Sequence, residues 1–410
     1  MAGKKREKPT NGRIEGFKYF KIVNRLLRTL HDAGCERDRA GNRELHMDQY
    51  ITLLLMYMFN PVCSSLRALQ EASQLKKVQR VLKVPRTSLG SLSEAARVFD
   101  SQLLIGIIGD LAAKLKPTRH DARLGDLGQV VTLVDGSWLR VVPKVVWALF
   151  QDEAHKSAKV HMHFELLKGV PSGATITDAN TSETAVLRQM LQSGHLYVVD
   201  RGYFDYAFYR DVIAADSSFI CRIKDNAVIH EVVEERELSS DALAAGIVRD
   251  AVVRLGHPKT KSRLSRPLRV IEIECTPHRK ASGKTGRGGP EQGETILIAT
   301  DRLDLSAEVI ALLYQYRWQI EIFFRFFKHV LGCRHLLSHS KNGIELQTYV
   351  AIIACLLIAL WTGQKPTLRT YRMLCWHLSG WADEGELLAH IEELDPPAPP
   401  KTAGERQKLI

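Results

Sequence analysis

No CxxC pair occurs anywhere in this chain of 410 residues, and its seven cysteines (Cys35, Cys63, Cys221, Cys275, Cys333, Cys355 and Cys375) are odd in number. That pattern argues against a disulfide framework and against a cysteine zinc site, and it suits a reducing cytoplasm. Long apolar runs are also missing. The longest, Val350 to Trp361, falls short of the ~20 residues a membrane span needs, so a buried helix is expected there. The basic N-terminus is not followed by a signal-peptide core, and no membrane destination is expected. Aromatic residues desert one extended stretch: residues 225 to 299 hold no Phe, Tyr or Trp.

Positive charge is what the chain has in excess. A formal net charge of +11 favours a polyanionic partner, because clustered Lys and Arg displace counterions from phosphates. With 45% hydrophobic residues the chain can bury a large core, divided into two or three domains. The first residues, 1–13, combine Lys4, Lys5, Arg6, Lys8 and Arg13 with Gly, Pro and Asn and form a flexible basic arm. From Ile14 to about Leu115 apolar residues keep a helix period, as at Phe17, Phe20, Val23, Leu27 and Leu30, and again at Tyr50, Leu53, Leu54, Tyr57 and Met58. Ser91 followed by Glu94 reads as a capping box opening a helix through Leu115. The preceding KKVQRVLKVPRTSLG, a basic helix and a Pro turn, suits a helical DNA-binding unit; a plain bundle with basic exposed faces is the alternative.

The pattern changes near Gln129. QVVTLVD and HLYVVD are Val- and Leu-rich, as central strands covered on both faces are, and each ends in an aspartate, Asp135 and Asp200. Between them KVHMHFELL alternates, GATITDAN gives a further strand, and a helix spans Ser182 to Leu191. A helix from Asp205 to Ile213 and the strand SFICRIK follow. Three strands, helix, strand, helix, strand is the order of a ribonuclease-H-like core, an α/β fold with a mixed sheet and flanking helices. Strand-like pieces AVVRL, PLRVIEIEC and ETILIAT then mark a β-rich insertion, with the Gly-rich basic loop HRKASGKTGRGGPEQG inside it. The expected organisation is therefore an arm at 1–13, a helical N-terminal DNA-binding region at 14–120, core at 121–224, insertion at 225–300, core again at 301–365, and a C-terminal helical segment and tail at 366–410.

A long helix from about Ser306 to Gly332 carries Tyr314, Arg317, Glu321 and Lys328. At about 100° per residue these fall in one stripe roughly 60° wide, flanked by Ile320, Phe323, Phe324, Phe326, Phe327 and Val330. A carboxylate with an Arg one turn before it and a Lys two turns after it is suited to holding a cation beside an anionic substrate. Two strand-end aspartates and a helix glutamate can converge and bind hard divalent cations, which take oxygen ligands. Taken singly, strand-end aspartates are common turn and capping residues. His161 and His163, and His335 and His339, lack accompanying ligands and read as ordinary histidines. Asp178 and Glu183 can each replace a member of the trio and rank as a turn and helix-start pair. Ser137 has no adjacent base, and Trp318 is expected to pack.

These blocks, in this order, resemble the DDE transposases of the insertion-sequence 4 family. VTLVDGSWLR is similar to the family's first-aspartate strand and VVDRGYFD to its second. Tyr314, Arg317, Glu321 and Lys328 match its Y-x2-R-x3-E-x6-K signature at every position, and FICRIKDN is similar too. The resemblance covers roughly Gln129 to Trp361. It implies that Asp135, Asp200 and Glu321 are catalytic acids holding two Mg²⁺ (or Mn²⁺) ions, and that Tyr314, Arg317 and Lys328, with Arg201 added, contact DNA-end phosphates. It further implies a nucleoid-associated cytoplasmic homodimer acting on double-stranded DNA, at terminal inverted repeats and at a target, by hydrolytic nicking and 3′-hydroxyl strand transfer. A metal-dependent nuclease without strand transfer, and a retired transposase that only binds DNA, are the alternatives. Some relatives stack an extruded hairpin base on an aromatic of the insertion; residues 225 to 299 offer none.

Overall fold

The computed structural model describes residues 23–33, 38, 41, 43–118, 122–125, 127–140, 157–257, 259, 264–274, 295–333 and 335–394. The arm at 1–13, the Gly-rich loop at 278–293 and the tail from Asp395 lie outside the described residues. The first part is helical, as its 3.6-residue spacing predicts: α1 (Met47–Phe59), α2 (Leu66–Ser73), α3 (Lys76–Leu82), α4 (Leu89–Val98) and α5 (Leu103–Lys114). Tyr50, Leu53, Leu54, Tyr57 and Met58 all lie on the buried face of α1. The basic helix α3 ends at Lys83, which takes a left-handed conformation (φ 55°), and Pro85 follows outside the helix. His31 ties the preceding segment down: its Nδ1 lies 3.0 Å from Asp48, and its carbonyl accepts from His46 Nδ1 at 2.9 Å.

One helix was expected from Ser91 to Leu115, and two are found. Ser88, not Ser91, caps α4, accepting from the Ser91 amide at 3.0 Å. The break at 99–102 comes from far along the chain. Asn342 donates to the Ala96 and Phe99 carbonyls at 2.9 and 2.6 Å and accepts from the Ser101 amide at 3.2 Å, satisfying groups that a continuous helix would pair internally. A local sequence pattern carries no sign of such a partner.

The core strands follow the expected order: β1 (Val130–Arg140), β2 (Ser157–Glu165), β3 (Val170–Asp178), α6 (Glu183–Gln189), β4 (His195–Val199), α7 (Tyr206–Ala214) and β5 (Ser218–Arg222). β2 pairs antiparallel with β1 and β3, while β1, β4 and β5 run parallel. Spatial order 3-2-1-4-5 with β2 reversed is the ribonuclease-H-like arrangement. Both faces are covered, which is why these strands lack polar alternation. Val131, Leu133, Val160 and Met162 face one apolar cluster; Val134, Tyr197, Val199, Phe208 and Tyr209 face the other.

The insertion contributes β6 (Ile229–Glu235), the short α8 (Ser240–Ala244), β7 (Ile247–Leu255), β8 (Leu268–Glu274) and β9 (Thr295–Thr300). β9 pairs antiparallel with β5, so the inserted strands extend the core into one nine-stranded sheet, order β3-β2-β1-β4-β5-β9-β8-β7-β6. The expectation of three inserted strands missed β6. All but the first of its residues are exposed at the sheet edge, so no apolar pattern marked it.

After β9 the chain enters α9 (Ala307–Tyr316), α10 (Trp318–His329), α11 (Lys341–Thr362), α12 (Leu368–Leu378) and α13 (Glu384–Glu392). α11 contains the longest apolar run. By length and composition it is apolar enough to cross a membrane, yet 89% of its most apolar window is buried inside the protein, against α1, α5 and β3.

A buried ion pair connects the insertion to the start of α9. Arg269 and Asp250, 3% and 4% exposed, pair at 2.6 Å, and Arg269 also donates to the Leu305 carbonyl. Removing one partner leaves the other charge buried alone. Arg269→Met is expected to cost about 3–5 kcal/mol of stability in urea titration, and Asp250→Asn less. Equal stability of Arg269→Met and the parent protein would show that the pair is not what holds this junction.

Candidate active site

The acids meet because of strand register. β1 does not end at Asp135 as expected but runs on to Arg140, held by β2; its parallel pairing with β4 stops at Leu133 and Val198, and Asp135 and Asp200, each two residues further on, point to the same face. Leu133 and Val198 both enter the cluster packed under α9–α11, which fixes that face as the one the stripe helix covers. Asp200 lies just past β4, where its carboxylate accepts from the Gly202 amide at 2.6 Å and opens the short 3₁₀ turn Arg201–Tyr203. The Cys221 thiol donates to the Asp200 carbonyl at 3.4 Å, anchoring the turn to β5.

The stripe lies on two helical pieces rather than one. Arg317 keeps helical angles (φ −51°, ψ −33°), but its amide bonds to the Tyr314 carbonyl at 3.0 Å and its own carbonyl accepts from Ile320 at 3.2 Å, both three residues apart. Tightening to three residues per turn turns the chain further per residue than an α-helix does. Trp318, expected to pack, is thereby turned outward and is 54% exposed. Ile320, Phe323, Phe324, Phe326 and Phe327 do pack inward, with Phe323 against Phe164 of β2 at 5.3 Å between ring centroids. That contact presses α10 onto the sheet with Glu321 facing the strand ends.

Arg317 spans the result: its guanidinium lies 3.7 Å from Asp135 Oδ2 and donates to Glu321 Oε1 at 2.8 Å. Asp135, Arg317 and Glu321 are thus directly joined. Asp200 sits near enough to Asp135 and to Tyr314 to act on the ionisation of both. Among the described residues, the one group of three ligand side chains with donor atoms all within 4.8 Å of one another is His31, Asp32 and His46, so the acidic trio is more open than that. Its donors are all hard carboxylate oxygens, the set that Mg²⁺ and Mn²⁺ prefer and that leaves room for water and phosphate oxygens.

Burial pushes the Asp135 carboxyl up to about 7; Arg317 and the Gly136 amide, 2.8 Å from Oδ1, oppose the rise, and Asp200 and Glu183 add to it. Burial also pushes the Tyr314 hydroxyl up to about 12, so it stays a hydrogen-bond donor at neutral pH. Lys328 is half-buried and its ammonium pKa is lowered by burial; it stands seven residues beyond Glu321, about 10 Å along α10. Arg201 is turned outward, 52% exposed, and pairs with Asp225 at 3.6 Å.

Several site residues were missed from sequence. Asp178 is the turn residue expected, accepting from the Asn180 and Thr181 amides at 2.9 Å. Glu183 opens α6, the helix start expected, and it also pairs with Lys159 at 2.5 Å and lies beside Gly136, which was not foreseen. Arg222, at the end of β5, sits close enough to Tyr314 to lower its pKa, and its buried Nε makes no hydrogen bond. Only their position, Arg222 at a strand end and Glu183 at a helix start near the two aspartates, signals them. His161 and His163 are buried on β2, with pKa values lowered to about 4 chiefly by burial, and belong to the sheet's packing.

The raised Asp135 pKa makes stability depend on pH. The folded state holds a proton that the unfolded state has lost between about pH 4 and 7, so metal-free stability falls as pH rises through that window. Asp135→Asn removes this cost. In EDTA its melting temperature is expected to exceed that of the parent at pH 8 and to converge with it near pH 4; a constant difference across that range would refute the assignment.

A family model described as a transposase DDE domain matches residues 126–357. Among curated proteins, a putative transposase of Sinorhizobium fredii is 28% identical over 254 residues, covering 62% of this chain and 65% of that protein's own length. A probable transposase for insertion sequence element IS5377 of Geobacillus stearothermophilus is 24% identical, covering 67% of each chain. A putative transposase for insertion sequence element IS4SA of Synechocystis is 23% identical over 68% of this chain and 73% of that one. A solved piggyBac transposase synaptic complex with hairpin DNA aligns over 97% of this chain and 89% of its own at 10% identity and a TM-score of 0.45, a likeness that adds nothing to the assignment.

Proposed function

The chain belongs to the transposase DDE domain family, and from that premise we propose that it is a metal-dependent DNA transposase of the insertion-sequence 4 type. It cuts at the terminal inverted repeats of its own element and joins the freed 3′-hydroxyl to target DNA. The observation that carries this reading is the Asp135–Arg317–Glu321 bridge where β1 and β4 part, with Asp200 just past the end of β4.

Asp135, Asp200 and Glu321 would hold two Mg²⁺ or Mn²⁺ ions, which when bound activate the attacking oxygen and stabilise the leaving oxygen of an in-line displacement at phosphorus. The chain's own groups do the rest. Arg317, freed from Glu321, turns its fork of donors to the scissile phosphate, for which a guanidinium is suited. The Tyr314 hydroxyl, protonated at working pH, donates to another phosphate oxygen. Lys328, two turns along, grips the strand beyond the cut, and Arg201 at the rim takes a more distant phosphate. Their common task is to fix the phosphodiester in line with the attacking oxygen, where orientation alone contributes several orders of magnitude. Nicking and strand transfer use the same displacement with water or a 3′-hydroxyl as the nucleophile, so one site serves both. A homodimer would hold the two element ends together.

The test is incubation of the protein with a DNA fragment carrying the element's own terminal repeat, in Mg²⁺ or in EDTA, read on a denaturing gel. Metal-dependent nicks at the repeat boundary and joined products are expected. Asp135→Ala, Asp200→Ala and Glu321→Ala should each abolish both while leaving repeat binding in a gel-shift assay intact. Arg317→Ala should lower the nicking rate about 10²–10³-fold, the cost typical of losing one transition-state donor. Cleavage without joining would reduce the assignment to a nuclease, and nicking unchanged by Asp135→Ala would refute the site.

A further inference from the structure

We propose that Glu183 is a fourth carboxylate of this site, held by the Lys159 ammonium until a divalent cation takes its place. The proposal rests on the reading of Asp135, Asp200 and Glu321 as metal ligands and adds a residue from the other side of the sheet. Side chains alternate along β1, so Asp135 faces α10 while Gly136 opens toward α6. Glu183, the first residue of α6, fills that opening: a Cβ at Gly136 would fall 2.6 Å from Glu183 Oε1 and 3.0 Å from Lys159 Cε. Its other oxygen reaches toward the second aspartate, lying 3.9 Å from where a Cβ at Gly202 would be. One carboxylate therefore spans from the residue after Asp135 to the turn that follows Asp200.

An independent observation points to a ligand there. The Tyr203 hydroxyl is fully buried among the carboxylates of Glu183, Asp135 and Asp200; it leans on Glu183 but completes no well-formed hydrogen bond among the described residues. A buried hydroxyl without a full hydrogen bond is costly, and a hydrated cation held by this acidic cluster would bring it a partner. Among the described residues, Arg317 and Lys159 are the two cations paired with these four carboxylates. Glu321 approaches β1 from the α10 side, joined to Asp135 through Arg317, and Glu183 approaches it from the α6 side at Gly136.

An ordinary structural ion pair and a metal ligand held in reserve predict different effects on metal affinity. Mn²⁺ binding to the DNA-free protein, followed through the electron paramagnetic resonance signal of free Mn²⁺, separates them. Glu183→Gln is expected to bind Mn²⁺ about tenfold more weakly, the size of effect seen for partners around a metal centre. Lys159→Met is expected to bind it several-fold more tightly, since the competing ammonium is gone. Wild-type affinity in both variants would overturn the proposal. Should Glu183→Gln fail to fold, Gly136→Ala displaces the same carboxylate with its charge intact; it should weaken Mn²⁺ binding, and an unchanged affinity there would also overturn the proposal. Asp135→Asn serves as the control for the underlying reading. If it too binds Mn²⁺ like the parent, the trio is wrong; if it alone loses binding, only the role of Glu183 is.

Discussion

Carboxylates cannot be gathered at the end of a sheet without a compensating charge, and in this protein Arg317 supplies it. Asp135 lies on β1 and Glu321 on α10, 186 positions apart, yet one guanidinium touches both. Its placement depends on the local tightening of the helix at residue 317, which turns the Arg side chain inward to the acids and Trp318 outward to solvent. A phosphate can compete for that guanidinium and divalent cations for those carboxylates. The resting ion pairs thus occupy the donors and acceptors that a metal-bound phosphodiester would need, and exchanging one set for the other requires no refolding.

The sheet serves this bridge. Parallel pairing of β1 with β4 turns the two aspartates to the same face, and apolar packing on both faces locks the register, since a slip of one residue would turn both away from α10. The long path from Asp200 to Glu321 returns along the same sheet. β9 pairs with β5, Thr300 donates to the Phe219 carbonyl at 2.6 Å, and the Asp250–Arg269 pair reaches the Leu305 carbonyl just before α9. The insertion is therefore part of what aims the glutamate helix, in addition to any contact it makes with DNA.

Much of this was legible in the residues. Central strands announce themselves by unbroken Val and Leu runs, and the stripe of Tyr314, Arg317, Glu321 and Lys328 stands out because polar groups at helical spacing interrupt a dense set of phenylalanines. What was hidden depended on distant partners. The break between α4 and α5 is made by Asn342, more than two hundred residues away. The edge strand β6 is almost wholly exposed and has no apolar period to betray it. Glu183 looked like any acidic residue at a helix start, and only the missing Cβ of Gly136, pressed against its carboxylate, shows what it faces.

The most direct test of the central claim, that Asp135, Asp200 and Glu321 form one metal site, is anomalous scattering from crystals of the protein grown with Mn²⁺. Mn²⁺ peaks are expected within reach of Asp135, Asp200 and Glu321, where β1 and β4 part, with the Arg317–Glu321 contact broken. Absence of density at Asp135, with Arg317 still bridging the two acids at saturating Mn²⁺, would contradict it.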